Sequence, residues 1–379
     1  MIVAALKETL DGERRVSLVP AGVAEVQKLS AEVWIERGAG MASGYPDEEY
    51  EAKGAKIVDR AQIIDNADIV LAVRWAAANP GAADRLSKKG QAAIGFMEPY
   101  QPDPSFSHMR DAGVTSFAME RMPRITRAQA MDALSSMANL AGYKSALIAA
   151  DNLPKMFPMM MTAAGTIVPA KVFVVGVGVA GLQAIATTKR LGAVVSAYDV
   201  RPAVKEQVES LGAKFVEIEL DTGDSEDKGG YARAMDEEFY TKQREMMKQV
   251  VADSDVVITT AAIPGKPSPV LVTEEMVQGM RPGSLIVDLA VERGGNCELS
   301  EMGTTVQKHN VTIVGPINLP SSVPFNASQL YSKNITSFLA TVVTDGAVSV
   351  DMDDEIIAAT VVTHNGEVPN DDLRAQLEL

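Results

Sequence analysis

Short runs of aliphatic and β-branched residues alternate with stretches of helical period along most of the chain, the pattern of a parallel sheet with crossover helices. In the first 120 residues, Ile2–Leu6, Glu32–Glu36, Lys56–Val58, Asp68–Val73, Ala92–Phe96 and Thr115–Met119 predict strands. Pro20–Leu29, Asp47–Lys53, Ala61–Asn66 and Pro104–Ala112 predict helices between them, and Ala76–Gly81 carries a loop signal. A second array opens at Lys171, with strands expected at Val172–Val175, Val194–Asp199, Lys214–Ile218, Val256–Thr260, Ser284–Asp288 and Thr312–Val314. Arg127–Ala150 is rich in Ala, Leu and Met, has no proline and one glycine, and so predicts a single long helix joining the arrays. Asn326–Val342 is a second apolar helical stretch. A helix leaving one domain and another returning let the carboxyl terminus complete the first. The expectation is an α/β protein of two doubly wound, Rossmann-like parallel-sheet domains joined by long helices, with a cleft between them. The first domain takes residues 1–126 and 320–379, and residues 127–319 hold the linking helix and the second.

Composition narrows the class. The chain has 379 residues, 46% hydrophobic and 22% charged, which suits packed cores and excludes a disordered chain. A net charge of −15 lacks the basic footprint that a phosphate backbone demands, so no nucleic-acid partner is expected. One cysteine, Cys297, forms no internal disulfide, and with three scattered histidines no metal site is expected. The reading is a reducing compartment. No apolar run reaches the roughly 18–20 residues of a membrane span, and Lys7, Glu8, Asp11 and Glu13 stand where a signal peptide would be apolar, so a soluble chain is expected.

The sharpest local signal is the strand Val172–Val175 running through Gly176-Val177-Gly178-Val179-Ala180-Gly181 into a helix, a G-x-G-x-x-G turn. The first glycine permits the tight turn, the second lets a pyrophosphate approach the backbone, and the third allows close helix–strand packing. The diphosphate would sit on the N–H groups of the helix amino terminus. Asp199 ends the next strand, eighteen positions beyond Gly181, where a carboxylate accepts from both hydroxyls of an adenosine ribose. That acid favours NAD(H) over NADP(H). Arg201 is the counter-argument, since a nearby arginine accommodates a 2′-phosphate. The alternative is that these glycines serve turn and packing alone.

Between Arg124 and Gly142, Asp132, Ser135 or Ser136, and Asn139 recur at helical spacing and share a face, opposite Met131, Leu134 and Ala138. Such a polar stripe suits a hydrated cleft, with Arg124 and Gln129 ahead of it able to reach a ring carboxamide; an ordinary solvated face is the competing reading. Asp221–Asp236 is too polar for core and long for a connection, so it is either a disordered insertion or a lid over a nucleotide. Met156–Met161 is an adaptable contact surface or, more commonly for such runs, core packing. Dehydrogenating an alcohol or amine needs a proton acceptor. His108, His309 and His364 all lie outside these motifs, and Cys297 is assigned no catalytic role. Hydride exchange between two nicotinamides needs no such base, only positioning.

Together these segments closely resemble the soluble NAD(H)-binding component, domain I, of proton-translocating nicotinamide nucleotide transhydrogenases. The resemblance is carried by Lys7-Glu8 with Gly12–Val16, by Met119–Gln129, Asn139–Tyr143, Phe157–Thr166 and Gly176–Ala184, and by Lys205–Gly212, Gly229–Ala232, Ile263–Pro267 and Asp288–Glu292. It spans nearly the whole chain, more loosely in the last 60 residues. It implies a homodimer that binds NADH and passes hydride directly to NADP+ on a partner component, while protons cross the membrane in a further, membrane-spanning proton-channel subunit. The chain would lie on the cytoplasmic side, attached to the inner membrane through that partner. Residue by residue, it implies that Arg124, Ile125, Thr126 and Gln129, with Asp132 and Ser135, surround the nicotinamide, Gln129 also reaching the partner's nucleotide. It places Gly176, Val177, Gly178, Val179 and Gly181 at the diphosphate and Asp199, Val200 and Arg201 at the adenosine ribose. Gly230, Tyr231 and Gln243 belong to a mobile loop region, and Ala262, where the family commonly has leucine, lies near the nucleotide.

Alanine dehydrogenases resemble the chain too. Their catalytic lysine is replaced by Arg74, their catalytic histidine is missing from Gly95-Phe96-Met97-Glu98, and Glu292 stands where they carry an aspartate before Gly-Gly. Arg15 matches their substrate arginine. An amino-acid dehydrogenase and a non-catalytic NAD(H)-binding module are the alternatives.

Overall fold

The structure, a computed structural model, describes residues 1–75, 85–100, 102–217, 237–263 and 265–378. Its first strands are β1 Ile2–Ala5, β2 Glu32–Glu36, β3 Lys56–Val58, β4 Ile69–Arg74, β5 Ala92–Phe96 and β6 Thr115–Ala118. A hairpin of β7 Met160–Thr162 and β8 Gly165–Ile167 follows, and then β9 Lys171–Val175, β10 Val194–Tyr198, β11 Lys214–Phe215, β12 Val256–Thr259, β13 Leu285–Asp288, β14 Thr305–Lys308 and β15 Val311–Val314. A short ribbon, β16 Val343–Thr344 with β17 Ala347–Val348, and β18 Val361–Thr363 complete the set. By contacts the chain forms two compact units, Met1–Met137 with Pro320–Leu379, and Ala138–Leu319. The division falls inside the helix Ala133–Asn152, later than the expected boundary at residue 127.

The first unit is built on a sheet of order β18-β6-β5-β4-β1-β2-β3, parallel except that β18 runs antiparallel to β6. In the second the order is β11-β10-β9-β12-β13-β15-β14, with only the edge strand β14 antiparallel. In each, the chain starts at the centre, winds outward, and returns past its first strand to build the other half. That is the doubly wound order whose switch point lies between β1 and β4 in one sheet and between β9 and β12 in the other. Both sheets are the parallel α/β class that the sequence predicts.

Strand alternation explains why β9 is apolar throughout. Val172 and Val174 pack on one face with Ala149, Ala184 and Ile185, whereas Phe173 and Val175 pack on the other with Met247, Val251 and Met276. A strand covered on both faces carries no polar side. The first sheet is likewise buried, with Phe117 edge-on to Phe338 of the helix Pro324–Val342.

Two expectations are corrected. Residues 127–150 are not one helix: Thr126–Met131 is a 3-10 segment, and the α-helix begins at Ala133. The Met156–Met161 run is not core, since Met159 is 63% and Met161 78% exposed. The latter lie at or in an isolated hairpin whose three-residue strands have no sheet behind them to bury against.

Candidate functional site

In the second unit, the chain leaves β9 through Gly176, whose φ of +91° lies in the left-handed region. A Cβ there would stand 2.9 Å from the Ala261 nitrogen, so both conformation and space demand glycine. Gly178 differs: a Cβ would meet nothing within 4 Å among the described residues, leaving its backbone open to an approaching group. At Gly181 a Cβ would be 2.0 Å from the Gly176 carbonyl oxygen, because the helix Val179–Arg190 is pressed against the turn that precedes it. Thr260 locks the turn from the adjacent strand end by donating to that same carbonyl at 2.8 Å. Val177 is buried and Val179 partly exposed, so the free N–H groups at the helix start face an open concavity.

Asp199, just past β10, faces this turn. Its Oδ2 accepts from the Val177 N–H at 2.7 Å, and its Oδ1 from the Arg201 N–H at 2.9 Å. The Arg201 guanidinium folds back onto it, Nε to Oδ1 at 2.9 Å and Nη2 to Oδ2 at 3.0 Å, and Nη2 also reaches the Val177 carbonyl at 3.3 Å. Val200 between them is half-buried. Gln243 is buried, donating from Nε2 to the Tyr198 hydroxyl at 2.9 Å, one residue before Asp199. Ala262 is exposed on the loop after β12. Gly230, Tyr231 and the rest of Asp221–Asp236 lie outside the described residues.

Sequence reasoning missed the support beneath that loop. Asn296 Oδ1 accepts from the Ala261 N–H at 2.9 Å while its Nδ2 donates to the Ala261 carbonyl at 2.8 Å. Asn296 is held in turn by Asp288, a buried carboxylate that also accepts from Thr259, Ala290 and Cys297. The signal was present in Gly294-Gly295-Asn296: Gly295 has a φ of +83° and turns the chain back onto Asp288. Cys297 is buried among these groups, and that burial pushes its thiol up to about 11, away from nucleophilic use.

The Arg124–Ser135 segment belongs to the first unit. Asp132 is the amino-terminal cap of the helix Ala133–Asn152: its Oδ1 accepts from the Ser135 N–H at 2.8 Å and its Oδ2 from the Ser135 hydroxyl at 2.5 Å. The Asp132 backbone, at φ −71° and ψ 86°, is not helical. The Asp132–Ser135 spacing therefore marks a cap instead of a shared helix face, which corrects the expected polar stripe. Ahead of the cap, Ala128 and Met131 are buried anchors while Arg124, Thr126, Arg127 and Gln129 are exposed and Ile125 is half-buried. Two carboxyl-terminal groups pin the segment: Asp354 takes Arg127 in a two-bond pair at 2.7 and 2.8 Å, and Asn334 Nδ2 donates to the Ala130 carbonyl at 2.9 Å. The pair with Arg127 also holds the Asp354 carboxyl below the usual range.

The first unit's strand ends carry their own charges. Arg15 is bound by Glu13 through Nε at 2.7 Å and Nη2 at 2.6 Å, both side chains being buried. Arg74 Nη2 reaches Glu98 Oε1 at 2.5 Å. Glu8 accepts from the Val73 and Arg74 N–H groups, and Glu120 from those of Met97 and Glu98. Burial pushes each of these two carboxyls up to about 7.

Two family models cover this architecture: Alanine dehydrogenase/PNT, N-terminal domain, over residues 4–141, and Alanine dehydrogenase/PNT, C-terminal domain, over residues 145–371. The chain belongs to the alanine dehydrogenase/PNT family. Within that family, the first of the two parts into which the NAD(P) transhydrogenase alpha subunit of Rhodospirillum rubrum is divided is 47% identical over 99% of this chain and 100% of its own length. The crystal structure of transhydrogenase from Sinorhizobium meliloti matches with a TM-score of 0.88 at 47% identity, over 97% of this chain and 100% of that one. The alanine dehydrogenase of Bacillus subtilis is more distant, 27% identical over 97% of this chain and 92% of its own. The chain is thus a transhydrogenase component by family, as its sequence blocks imply. Among the described residues, no helix is long and apolar enough to cross a membrane.

Proposed function

We propose that this chain is the NAD(H)-binding component of a proton-translocating transhydrogenase, active only with an NADP(H)-binding partner. The observation that carries this reading is the Gly176–Gly181 turn with Asp199 beside it: an open glycine, helix N–H groups aimed outward and a carboxylate at the neighbouring strand end fit the diphosphate and adenosine ribose of NAD(H). The acid disfavours a 2′-phosphate, and Arg201, occupied by that acid, is not disposed to counter it.

Arg124, Ile125, Thr126 and Gln129 are assigned to the nicotinamide, with Gln129 also facing the partner's nucleotide. Asp132 and Ser135 hold the start of the helix that follows them. Gln243, Val200 and Ala262 keep the nucleotide-binding roles that the resemblance implies, as do Gly230 and Tyr231. Hydride moves with its electron pair from the dihydronicotinamide of NADH to the nicotinamide of NADP+, leaving NAD+ and NADPH. No proton is exchanged in that step, so the residues here need only orient the donor. Proton movement belongs to a membrane-spanning partner subunit, which would hold this chain at the cytoplasmic face. A second copy of the chain is the proposed occupant of the exposed Met159–Met161 hairpin.

Amino-acid dehydrogenation fits less well. It needs a proton acceptor and a cation for the substrate carboxylate, but Arg15 and Arg74 are both engaged by glutamates. The deciding experiment mixes the chain with an NADP(H)-binding transhydrogenase component and follows reduction of NADP+ by NADH. Turnover in the mixture and none with either component alone supports the proposal. Failure with a competent partner, while NADH still binds, leaves a non-catalytic NAD(H)-binding module; NADH oxidation by the chain alone with pyruvate and ammonia establishes the dehydrogenase instead.

A further inference from the structure

Asp199 has no spare acceptor capacity. A carboxylate offers about four lone-pair positions, and four donors converge on this one: the N–H groups of Val177 and Arg201, and Nε and Nη2 of the Arg201 guanidinium. Both side chains are largely withdrawn from water, at 7% exposure for Asp199 and 15% for Arg201. The two backbone donors are fixed by the glycine turn and by β10. The two guanidinium donors sit on a flexible side chain and are the ones that can leave.

We infer that Arg201 is an exchangeable counter-ion in the ribose subsite: it covers Asp199 when no nucleotide is bound and must yield its two hydrogen bonds to the two hydroxyls of the adenosine ribose. This rests on the assignment of Asp199 to that ribose. The exchange has a specific stoichiometry. A ribose diol supplies two donors for the two it displaces, so the carboxylate stays fully satisfied. A 2′-phosphorylated ribose supplies one donor and an anion, leaving an unmatched acceptor beside a like charge. Arg201 thereby makes selection for the unphosphorylated ribose stricter than the carboxylate alone would. The price is affinity, because binding begins by breaking a partly buried, two-bond ion pair.

The test titrates adenosine, which carries no phosphate charge, into the full-length chain and into its Arg201→Ala, Arg201→Lys and Asp199→Asn variants by calorimetry, with thermal melts to confirm that each is folded. Arg201→Ala should bind adenosine roughly tenfold more tightly than the unmodified chain, the scale of one charge-assisted hydrogen bond. Arg201→Lys, which keeps the charge but loses the paired geometry, should fall between the two. Unchanged or weaker adenosine binding in Arg201→Ala, with Asp199→Asn weakening it, overturns the counter-ion inference and leaves Asp199 as the ribose ligand. If Asp199→Asn leaves adenosine affinity unaltered, the assignment of the ribose subsite itself is wrong. Should either arginine variant fail to fold, the remaining one decides by the same sign.

Discussion

Glu120 makes the stability of the first unit depend on pH in a direction opposite to that of a salt-bridged carboxylate. It is buried, and removal from water outweighs its bonds from the Met97 and Glu98 N–H groups, pushing its carboxyl up from 4.5 to about 7. The folded chain therefore holds this proton more tightly than the unfolded chain does. Its contribution is fully present below the unfolded value and is lost as pH rises through about 7. A displacement of that size corresponds to about 3 kcal/mol of unfolding free energy between acid and alkaline limits. In Glu120→Gln the amide oxygen can still accept from both N–H groups, which converge on Oε1, but the group no longer ionises. Burying the amide's own donors should cost about 1 kcal/mol. The variant should thus be slightly less stable than the unmodified chain near pH 5 and about 2 kcal/mol more stable near pH 8.5. Urea unfolding at several pH values measures this, followed by fluorescence of Trp75, which is buried in the same sheet with its Nε1 on the Ile94 carbonyl. A difference between the two proteins that does not change with pH would falsify the claim that Glu120 is protonated in the folded state. Glu8→Gln is the parallel case at the end of β4.

Three further outcomes are expected. Gly142→Ala places a Cβ 2.1 Å from the Ala180 carbonyl oxygen, so despite the better helix propensity of alanine it should destabilise the second unit by about 2 kcal/mol and weaken NADH binding by shifting the helix Val179–Arg190; a more stable variant would refute the close approach. Asn334→Ala removes the bond to the Ala130 carbonyl beside Gln129 and should slow hydride transfer in the mixed assay several-fold with little change in NADH affinity, whereas an equal loss of both would make Asn334 merely structural. Gln129→Asn shortens the side chain without altering its chemistry, and single-turnover rates should fall much more than NADH affinity does.

The two sheets are legible in the sequence because their central strands are covered on both faces, which leaves near-continuous apolar runs such as Val172–Val175 and Ile69–Val73. Glycine roles at 176, 178 and 181 are legible for a related reason, each being a local steric demand. What composition does not reveal is competition between a side chain and the backbone. Arg127–Ala150 has a helix-former's composition, yet the Asp132 carboxylate accepts the Ser135 N–H and starts the helix there. The methionine run defeats a reading from composition because its burial depends on whether a sheet lies behind it, and the hairpin stands alone. The pairing of Arg201 with Asp199 is equally hidden, since spacing gives proximity and not which partner the guanidinium chooses.

The make-up of the first sheet bears on the order in which the chain folds. β6 is complete by residue 118, but its outer edge is covered only by β18, Val361–Thr363, and the helix Pro324–Val342 supplies Tyr331 and Phe338 to the interior. On the ribosome, the second unit's residues emerge whole while the first unit still lacks its last strand. The unit begun first should be finished last, with β6 offering an unpaired edge for most of translation. Protease challenge of ribosome-stalled chains ending near residue 330 should leave the second unit resistant and cut the first; protection of both would contradict this order.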